Sequence, residues 1–198
     1  MNILKIVVGG IVAVIVLFAA VGLLLPAQIG FERSISLKAK PEVVYGYLNG
    51  FKHFNEWSPW AGLDPNTQYT VTGPETGVGA KQAWTSEDPN VGSGSQEIIA
   101  VTPNESIQIR LEFAGSTAEN ISTQTIAPEG EGSRLTWRMD SALGMSPVNR
   151  WFGFFLLEKF VGPDYEKGLA ALKTKVEALP APLPAPTETE ATPVQPPA

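Results

Sequence analysis

Hydrophobic and polar residues alternate along most of the middle of the chain. Residues 30–37, 106–113 and 133–141 show the clearest alternation, with one apolar side and one polar side. A period of two is typical of a strand that buries one face against a core. Breaks rich in glycine, proline and asparagine separate such stretches, as hairpin turns require. The pattern predicts seven strands, at about residues 30–37, 68–72, 79–86, 94–101, 106–113, 120–127 and 133–141.

Three other segments have helical periodicity. Pro41 at a first helical position, followed by an apolar stripe, predicts a short helix over residues 41–48. A second short helix is predicted at about residues 52–57. The third covers about residues 147–179, with a weak point at Gly162-Pro163. Its second half carries a single apolar stripe, which predicts that one face packs against a core.

The predicted order is one strand, two short helices, six strands and one long helix, which is an α+β fold. A seven-stranded antiparallel sheet cannot cover its own concave face, and only the last helix is long enough to do so. A curved sheet that wraps one helix tends to leave its centre incompletely filled. We therefore predict an apolar cavity. Residues 151–157 are apolar on all sides, which favours either a core position or a membrane-facing mouth of that cavity.

The N-terminal segment differs from this domain. Residues 6–25 are twenty consecutive positions without a charge. At about 1.5 Å per residue, a helix of this length spans roughly 30 Å, the thickness of the hydrocarbon core of a bilayer. We interpret it as an uncleaved single-pass transmembrane anchor. The alternative is a cleaved signal peptide, for which Ala20-Val21-Gly22 provides a small-x-small site.

The chain divides into four parts on these grounds. They are a short head (residues 1–5), the anchor (6–25), one folded domain (26–179) and a tail (180–198). The tail contains seven prolines and no aromatic residue, so we expect it to be disordered. A five-residue head is typical of a signal anchor with a cytoplasmic N-terminus, which would place the domain on the periplasmic or extracytoplasmic side.

The composition excludes several classes of site. Among 198 residues there is no cysteine and one histidine, His53. Disulfides, thiolate metal sites, thiol nucleophiles and paired imidazoles are therefore excluded. A net charge of -6 without a basic run argues against nucleic-acid binding. We expect no metal and no cofactor.

Several short motifs follow one another in a characteristic order: FERSI at 31–35, KPEVVY at 40–45, WSPW at 57–60, GVGA at 77–80 before Trp84, and GPDYEKGL at 162–169. Together they resemble the START-like (SRPBCC, Bet v 1-like helix-grip) superfamily, in its membrane-anchored polyketide cyclase/dehydrase-like branch. The resemblance extends over about residues 29–179. It implies a sheet gripping a long helix and a cavity that holds a lipophilic ligand, and the family name implies polyketide cyclisation.

The candidate ligand-binding residues are aromatic and aliphatic. Large rings either fill the ends of such a fold or line its pocket, and each buries about 150–250 Å². The alternation along the predicted strands indicates that some of these residues face inward. The inward positions of these strands carry no clear set of acid-base groups. The predicted cavity residues are Trp57, Trp60, Trp84, Leu111, Phe113, Trp137, Met139, Phe155 and Leu169.

Two polar motifs carry weaker chemical signals. His53 and Glu56 have the i, i+3 spacing of half a metal site or an acid-base pair, but no third ligand is evident, which favours a solvated helix face. The glycine-rich segment 73–79 resembles a phosphate loop. A strand follows it and no Lys-Ser or Lys-Thr pair does, so we interpret it as a hairpin turn. We assign no catalytic residue.

The sequence therefore favours membrane-tethered binding of a hydrophobic small molecule or lipid, without catalysis. The first alternative is a polyketide cyclase or dehydratase-type enzyme that uses cavity water and one polar side chain. The second is a scaffold protein whose tail or anchor meets a partner, with Gly9-Gly10 and Gly22 permitting close helix packing. Specific protein partners are not indicated.

Overall fold

The computed structural model describes residues 2–179, and the predicted tail lies outside the described residues. The α+β order expected from the sequence is confirmed. The helices are α1 (Asn2–Leu24), α2 (Pro41–Leu48), α3 (Pro147–Phe152) and α4 (Glu158–Glu177), with a 3-10 turn at Phe54–Glu56 and a π-turn at Gly153–Leu157. The strands are β1 (Gln28–Leu37), β2 (Gln68–Thr72), β3 (Lys81–Thr85), β4 (Ser93–Thr102), β5 (Ser106–Phe113), β6 (Glu119–Glu129) and β7 (Gly132–Ala142).

The seven strands form one antiparallel sheet in the order β1-β7-β6-β5-β4-β3-β2. The six strands after the short helices form a meander, and β1 closes the other edge by pairing with β7 over its whole length. A β-bulge between Ile98 and Ala100 shifts the register of β4 against β5. Such bulges bend a strand, which favours the curved, concave face.

The helix α4 packs on the β1 edge of the concave face. Its apolar stripe is buried, with Tyr165, Leu169 and Leu172 each at most 2% exposed. Arg33 of β1 holds the first turns of α4 through ion pairs with Glu158, at 3.1 Å, and Glu166, at 2.8 Å. The central strands β3 to β5 therefore have part of their concave face free of this helix.

The sequence misplaced the irregular point in the last helix. Pro163 lies inside α4, and the departure from α-helical winding is the π-turn at Gly153–Leu157. Packing of the following turns on the sheet holds the helix through the proline, because tertiary contacts outweigh local propensity. The second predicted helix, at 52–57, is a single 3-10 turn at Phe54–Glu56.

The helix α1 contacts the folded domain. Within the described residues, Ile3–Leu24 is the one helix long and apolar enough to cross a membrane. Its last turns pack against α3, where Gly22 allows a close approach. A Cβ atom at Gly22 would lie 2.8 Å from the Pro147 side chain and 2.9 Å from Trp151. The glycine therefore serves packing within the chain.

Candidate functional site

The centre of the domain is a cluster of aromatic rings between β7 and α4. Trp137 and Tyr165 stack with ring centroids 3.8 Å apart. Trp57 and Trp60, from the segment after α2, meet Trp137 edge to face at 5.2 and 6.1 Å. The alternation of β7 turns Trp137 inward, and the helical stripe of α4 aims Tyr165 at it. These four rings occupy the middle of the concave face, where the sequence predicted an incompletely filled apolar cavity.

Two polar groups of this cluster meet at one serine on β6. The indole nitrogen of Trp137 donates a hydrogen bond of 2.7 Å to Ser122 Oγ. Burial raises the pKa of Tyr165 above its ordinary value, and hydrogen bonding of its hydroxyl with Ser122 acts in the opposite direction. Tyr165 therefore stays neutral at physiological pH. The arrangement is a positioning network for the rings.

Amides and hydroxyls form a polar band on the same concave face. Gln96 Nε2 donates to Gln82 Oε1 at 2.8 Å, and Ser141 Oγ donates to Asn120 Oδ1 at 2.7 Å. The side-chain oxygen of Gln124, a residue 3% exposed, has no hydrogen-bond partner among the described residues. Sequence reasoning missed this band. The signal was the alternation of Asn120, Ser122, Gln124 and Ile126 on one side of β6.

The band has no acid-base chemistry of its own. Its side chains are amides and hydroxyls, which donate and accept hydrogen bonds without changing charge near neutral pH. Within residues 2–179, no group of three or more His, Asp or Glu side chains is placed to hold a metal ion. The buried polar groups are therefore suited to orienting a ligand.

The concave face is open toward the β2 edge. Tyr69 and Val71 of β2 pair with Trp84 and Gln82 of β3, which puts all four side chains on this face. Val71 is 55% exposed and Phe113 of β5 is 41% exposed. Apolar side chains on the inner side of the sheet are therefore accessible here.

The rings of Trp84 and Phe113 define this open surface. They meet edge to face at 5.9 Å. Between them in the sheet lies Gly94, where a Cβ atom would come within 2.6 Å of the Trp84 ring. The glycine allows the indole to lie flat against β4. We call the surface formed by Tyr69, Val71, Trp84, Leu111 and Phe113 the open apolar surface.

The open apolar surface lies at the same end of the sheet as the anchor. The register connects Tyr69 with Trp84, Trp84 with Gly94 and Gly94 with Phe113. At this end β5 finishes and β6 begins, and Glu119 of β6 and Gln28 of β1 both pair with Ala142. Three residues, 25–27, separate Gln28 from the end of α1. The exposed rings and the start of β1 therefore lie at the same end of the sheet, with the rings toward the β2 edge and β1 at the other edge.

The structure divides the predicted cavity residues among three places. Phe155 lies apart from the others, 53% exposed on the π-turn, where it lines an external groove of about 400 Å³ together with Phe18 of α1. Trp84, Leu111 and Phe113 belong to the open apolar surface. The remaining five are in or beside the buried core: Trp57, Trp60, Trp137, Met139 and Leu169.

The two polar motifs singled out in the sequence lie elsewhere. The glycine-rich segment 73–79 lies in the turn that joins the antiparallel strands β2 and β3, so the predicted hairpin turn is confirmed. His53 Nδ1 is 2.7 Å from Glu56 Oε1, and Glu56 also receives the Tyr47 hydroxyl at 3.1 Å. These hydrogen bonds, from His53 first, lower the pKa of Glu56. Burial and Glu56 raise the pKa of Tyr47 to about 12. Tyr47 is buried, whereas His53 is partly exposed and Glu56 is exposed, and Glu56 forms an ion pair with Lys175 of α4 at 3.6 Å that joins the turn to the helix.

Solved structures share the architecture of this domain. A protein from Chromobacterium violaceum, CV1439, is 22% identical with a TM-score of 0.50, covering 77% of this chain and 99% of its own. Norcoclaurine synthase from Thalictrum flavum, solved with dopamine and hydroxybenzaldehyde, is 14% identical with a TM-score of 0.59, covering 75% and 86%. The di-domain ARO/CYC StfQ of the steffimycin pathway is 13% identical with a TM-score of 0.56, covering 76% and 51%.

These similarities and the strand order confirm the predicted fold, and a match to a family model confirms the resemblance to the START-like, Bet v 1-like superfamily. No curated protein sequence matches the chain. A family model described as "polyketide cyclase / dehydrase and lipid transport" matches residues 28–177, from the first residue of β1 to the last of α4. The match covers the whole sheet and its helix, and the chain therefore belongs to this family.

Proposed function

We propose that this protein is a membrane-tethered, non-catalytic binder of a hydrophobic small molecule or lipid. The observation that carries the proposal is the open apolar surface, where aromatic side chains are exposed on the inner side of the sheet. Exposed apolar residues that converge in a concave region are typical of ligand sites. The family description includes lipid transport, and norcoclaurine synthase was solved with two small aromatic molecules, which supports the same use of the fold.

The polar band below the rings gives the ligand an orientation. An apolar chain or ring would contact Trp84, Leu111 and Phe113, and a polar group reaching deeper would meet the Gln82–Gln96 pair. Side-chain amides serve as both donors and acceptors, so they suit hydroxyl, carbonyl or amide groups of a ligand. We infer an amphipathic ligand with one uncharged or weakly polar end. Trp57, Trp60, Trp137, Met139 and Leu169 form the wall behind this site.

Binding fits the chemistry of the site better than catalysis does. The buried polar side chains of the concave face are amides and hydroxyls, which are poor general acids and bases at neutral pH. The cyclase or dehydratase alternative is supported by the family description. Loss of turnover on replacing Asn120, Ser122 or Gln124 singly, with the fold intact, would favour that alternative.

The tether is the second part of the proposal. The helix α1 has the length and composition of a membrane span, and we propose that it is retained, with the domain outside the cytoplasm. Its packing against α3 supports retention, because cleavage after Gly22 would remove most of that contact. Intact mass of the membrane-extracted protein tests this, since cleavage would shorten the chain by about twenty residues.

Native mass spectrometry of the full chain, extracted in a mild detergent, tests ligand binding. We expect co-purifying lipid on the wild-type protein. Replacing Val71→Ser together with Phe113→Ser should lower the lipid-bound fraction at least tenfold. Both side chains are partly exposed, so the fold should tolerate them.

The matched control is Val78→Ser. Val78 is 57% exposed, close to the 55% of Val71, and lies in the turn before β3 at the opposite end of the sheet. This variant should keep the lipid-bound fraction of the wild type. Equal lipid occupancy in all three proteins would refute the open apolar surface as the site.

A further inference from the structure

A second apolar surface lies beside the anchor. The segment formed by α3, the π-turn and the first turn of α4 exposes large hydrophobic side chains, several of which line one groove with Phe18 of α1. Phe155 is 53% exposed and Phe160 is 60% exposed. Soluble surfaces rarely present so many large apolar groups together. We call this the aromatic face; it comprises Val148, Phe152, Phe154, Phe155, Leu156 and Phe160.

Hydrogen bonds fix the aromatic face to the end of α1. Arg150 is 7% exposed, and its Nη1 donates to the carbonyl oxygens of Leu23 at 2.6 Å and Leu25 at 3.1 Å. Its Nε donates to the carbonyl of Gly144 at 2.8 Å. The guanidinium thus satisfies carbonyls at the C-terminal end of α1, where a positive charge also complements the helix dipole.

Stacked rings extend the contact deeper along α1. Phe18 stacks on Trp151 at 5.2 Å, and Trp151 stacks on Phe155 at 5.3 Å. The Trp151 indole nitrogen donates to the carbonyl oxygen of Phe18 at 3.0 Å. Together with Arg150, these contacts hold α1 and α3 in one relative position.

The contact between α1 and α3 determines how deep the aromatic face lies in the membrane. Phe18 precedes the end of α1 at Leu24 by six residues, which is about 9 Å along a helix axis. If Leu24 is at the membrane surface, then Trp151 and Phe155 are at the level of the hydrocarbon. A face rich in phenylalanine at this depth is matched to lipid chains.

We propose that the aromatic face is inserted into the same leaflet that α1 crosses, so that the domain is docked on the bilayer in one orientation. This rests on the membrane span in the proposed function. The occupant is the lipid bilayer, because the external groove of about 400 Å³ is lined jointly by Phe18 of the span and by the aromatic face. Docking brings the end of the sheet that carries the open apolar surface close to the bilayer, which shortens the path of a hydrophobic ligand through water.

The absence of cysteine from the sequence allows single-site labelling of the full chain. An environment-sensitive NBD fluorophore is attached at Phe155→Cys, and in a separate protein at Phe152→Cys. The matched controls are Gln108→Cys, on the exposed outer side of β5, and Val12→Cys, within α1. Each protein is reconstituted in phosphatidylcholine vesicles, with and without lipids brominated along the acyl chains.

We expect brominated lipid to reduce the fluorescence of the labels at 152, 155 and 12 at least twofold, and to leave the label at 108 unchanged. Aqueous iodide should quench only the label at 108. If the labels at 152 and 155 behave like the label at 108 while the label at 12 is quenched by lipid, the docking is refuted and the span stands. If iodide quenches the label at 12 and brominated lipid does not, the membrane tether itself is refuted.

A second copy of the chain is the other occupant that the experiment detects. In that case the emission of the label at 155 would depend on the protein-to-lipid ratio, with no quenching by brominated lipid. That result would overturn insertion of the aromatic face into the bilayer.

Discussion

Replacing Arg150→Ala removes the guanidinium that joins α3 to the end of α1. Two of its hydrogen bonds, to the carbonyls of Leu23 and Leu25, exist only while α3 is in contact with the end of α1. A hydrogen bond from a charged donor contributes about 1.5–3 kcal/mol. Water reaches the freed carbonyls, so we take the low end, about 3 kcal/mol for the pair. At about 1.4 kcal/mol per tenfold, the undocked population should rise on the order of 100-fold.

The junction between α1 and β1, residues 25–27, reports this population. Proteinase K cuts backbone that opens transiently, and its rate follows the open fraction when opening is fast. Vesicle-reconstituted Arg150→Ala should be cut at the junction about 100-fold faster than the wild type. The control is Arg110→Ala, which removes an exposed arginine 3.9 Å from Glu97 and should leave the rate unchanged. A change below threefold in the cleavage rate of Arg150→Ala would refute the role of Arg150 in holding α3 against α1.

Two further predictions concern the folded domain. Trp137→Phe removes the hydrogen bond to Ser122 and part of a ring that is 4% exposed, so it should lower the free energy of unfolding by about 1–3 kcal/mol in a urea titration, and a loss below about 0.5 kcal/mol would contradict the packing role. Glu56→Gln tests pH dependence: hydrogen bonds from His53 and Tyr47 lower the pKa of Glu56 from an ordinary value of 4.5, so its stabilisation is present above pH 4.5 and is lost as pH falls through the lower, folded-state pKa. The difference in melting temperature between wild type and Glu56→Gln should therefore be largest near neutral pH and shrink in acid, and a constant difference would contradict the assignment.

The sheet could be predicted from the sequence because its strands have different environments on their two faces. In β7, Leu135, Trp137 and Met139 alternate with polar residues, and the structure buries all three. The antiparallel order followed from the short turns between strands. The weak point expected at Gly162-Pro163 lies within a continuous helix, because residue type alone does not measure the packing of Tyr165 and Leu169, which holds the helix through the proline.

The candidate site was predictable in its residue types and less so in its geometry. Aromatic and aliphatic residues on inward strand positions pointed to an apolar ligand. The sequence could not show that Trp137 and Tyr165 stack across the centre, because that contact joins residues on different elements. Nor could it show that β2 lies uncovered, which depends on where α4 crosses the sheet. Phe155 was grouped with the cavity since hydrophobicity does not distinguish a core residue from one on an outer face.

The contact between Arg150 and Leu23 joins residues 127 positions apart, and β1 pairs with β7, which is nearly as distant along the chain. During biosynthesis the N-terminal helix leaves the ribosome first, long before its partners exist. The strand β1 has no partner until β7 has been made, and α1 has no partner until α3 has been made, which is later still. The contact between α1 and α3 can therefore form only after residue 150 has been made, and a chain truncated before that residue lacks the arginine that holds it.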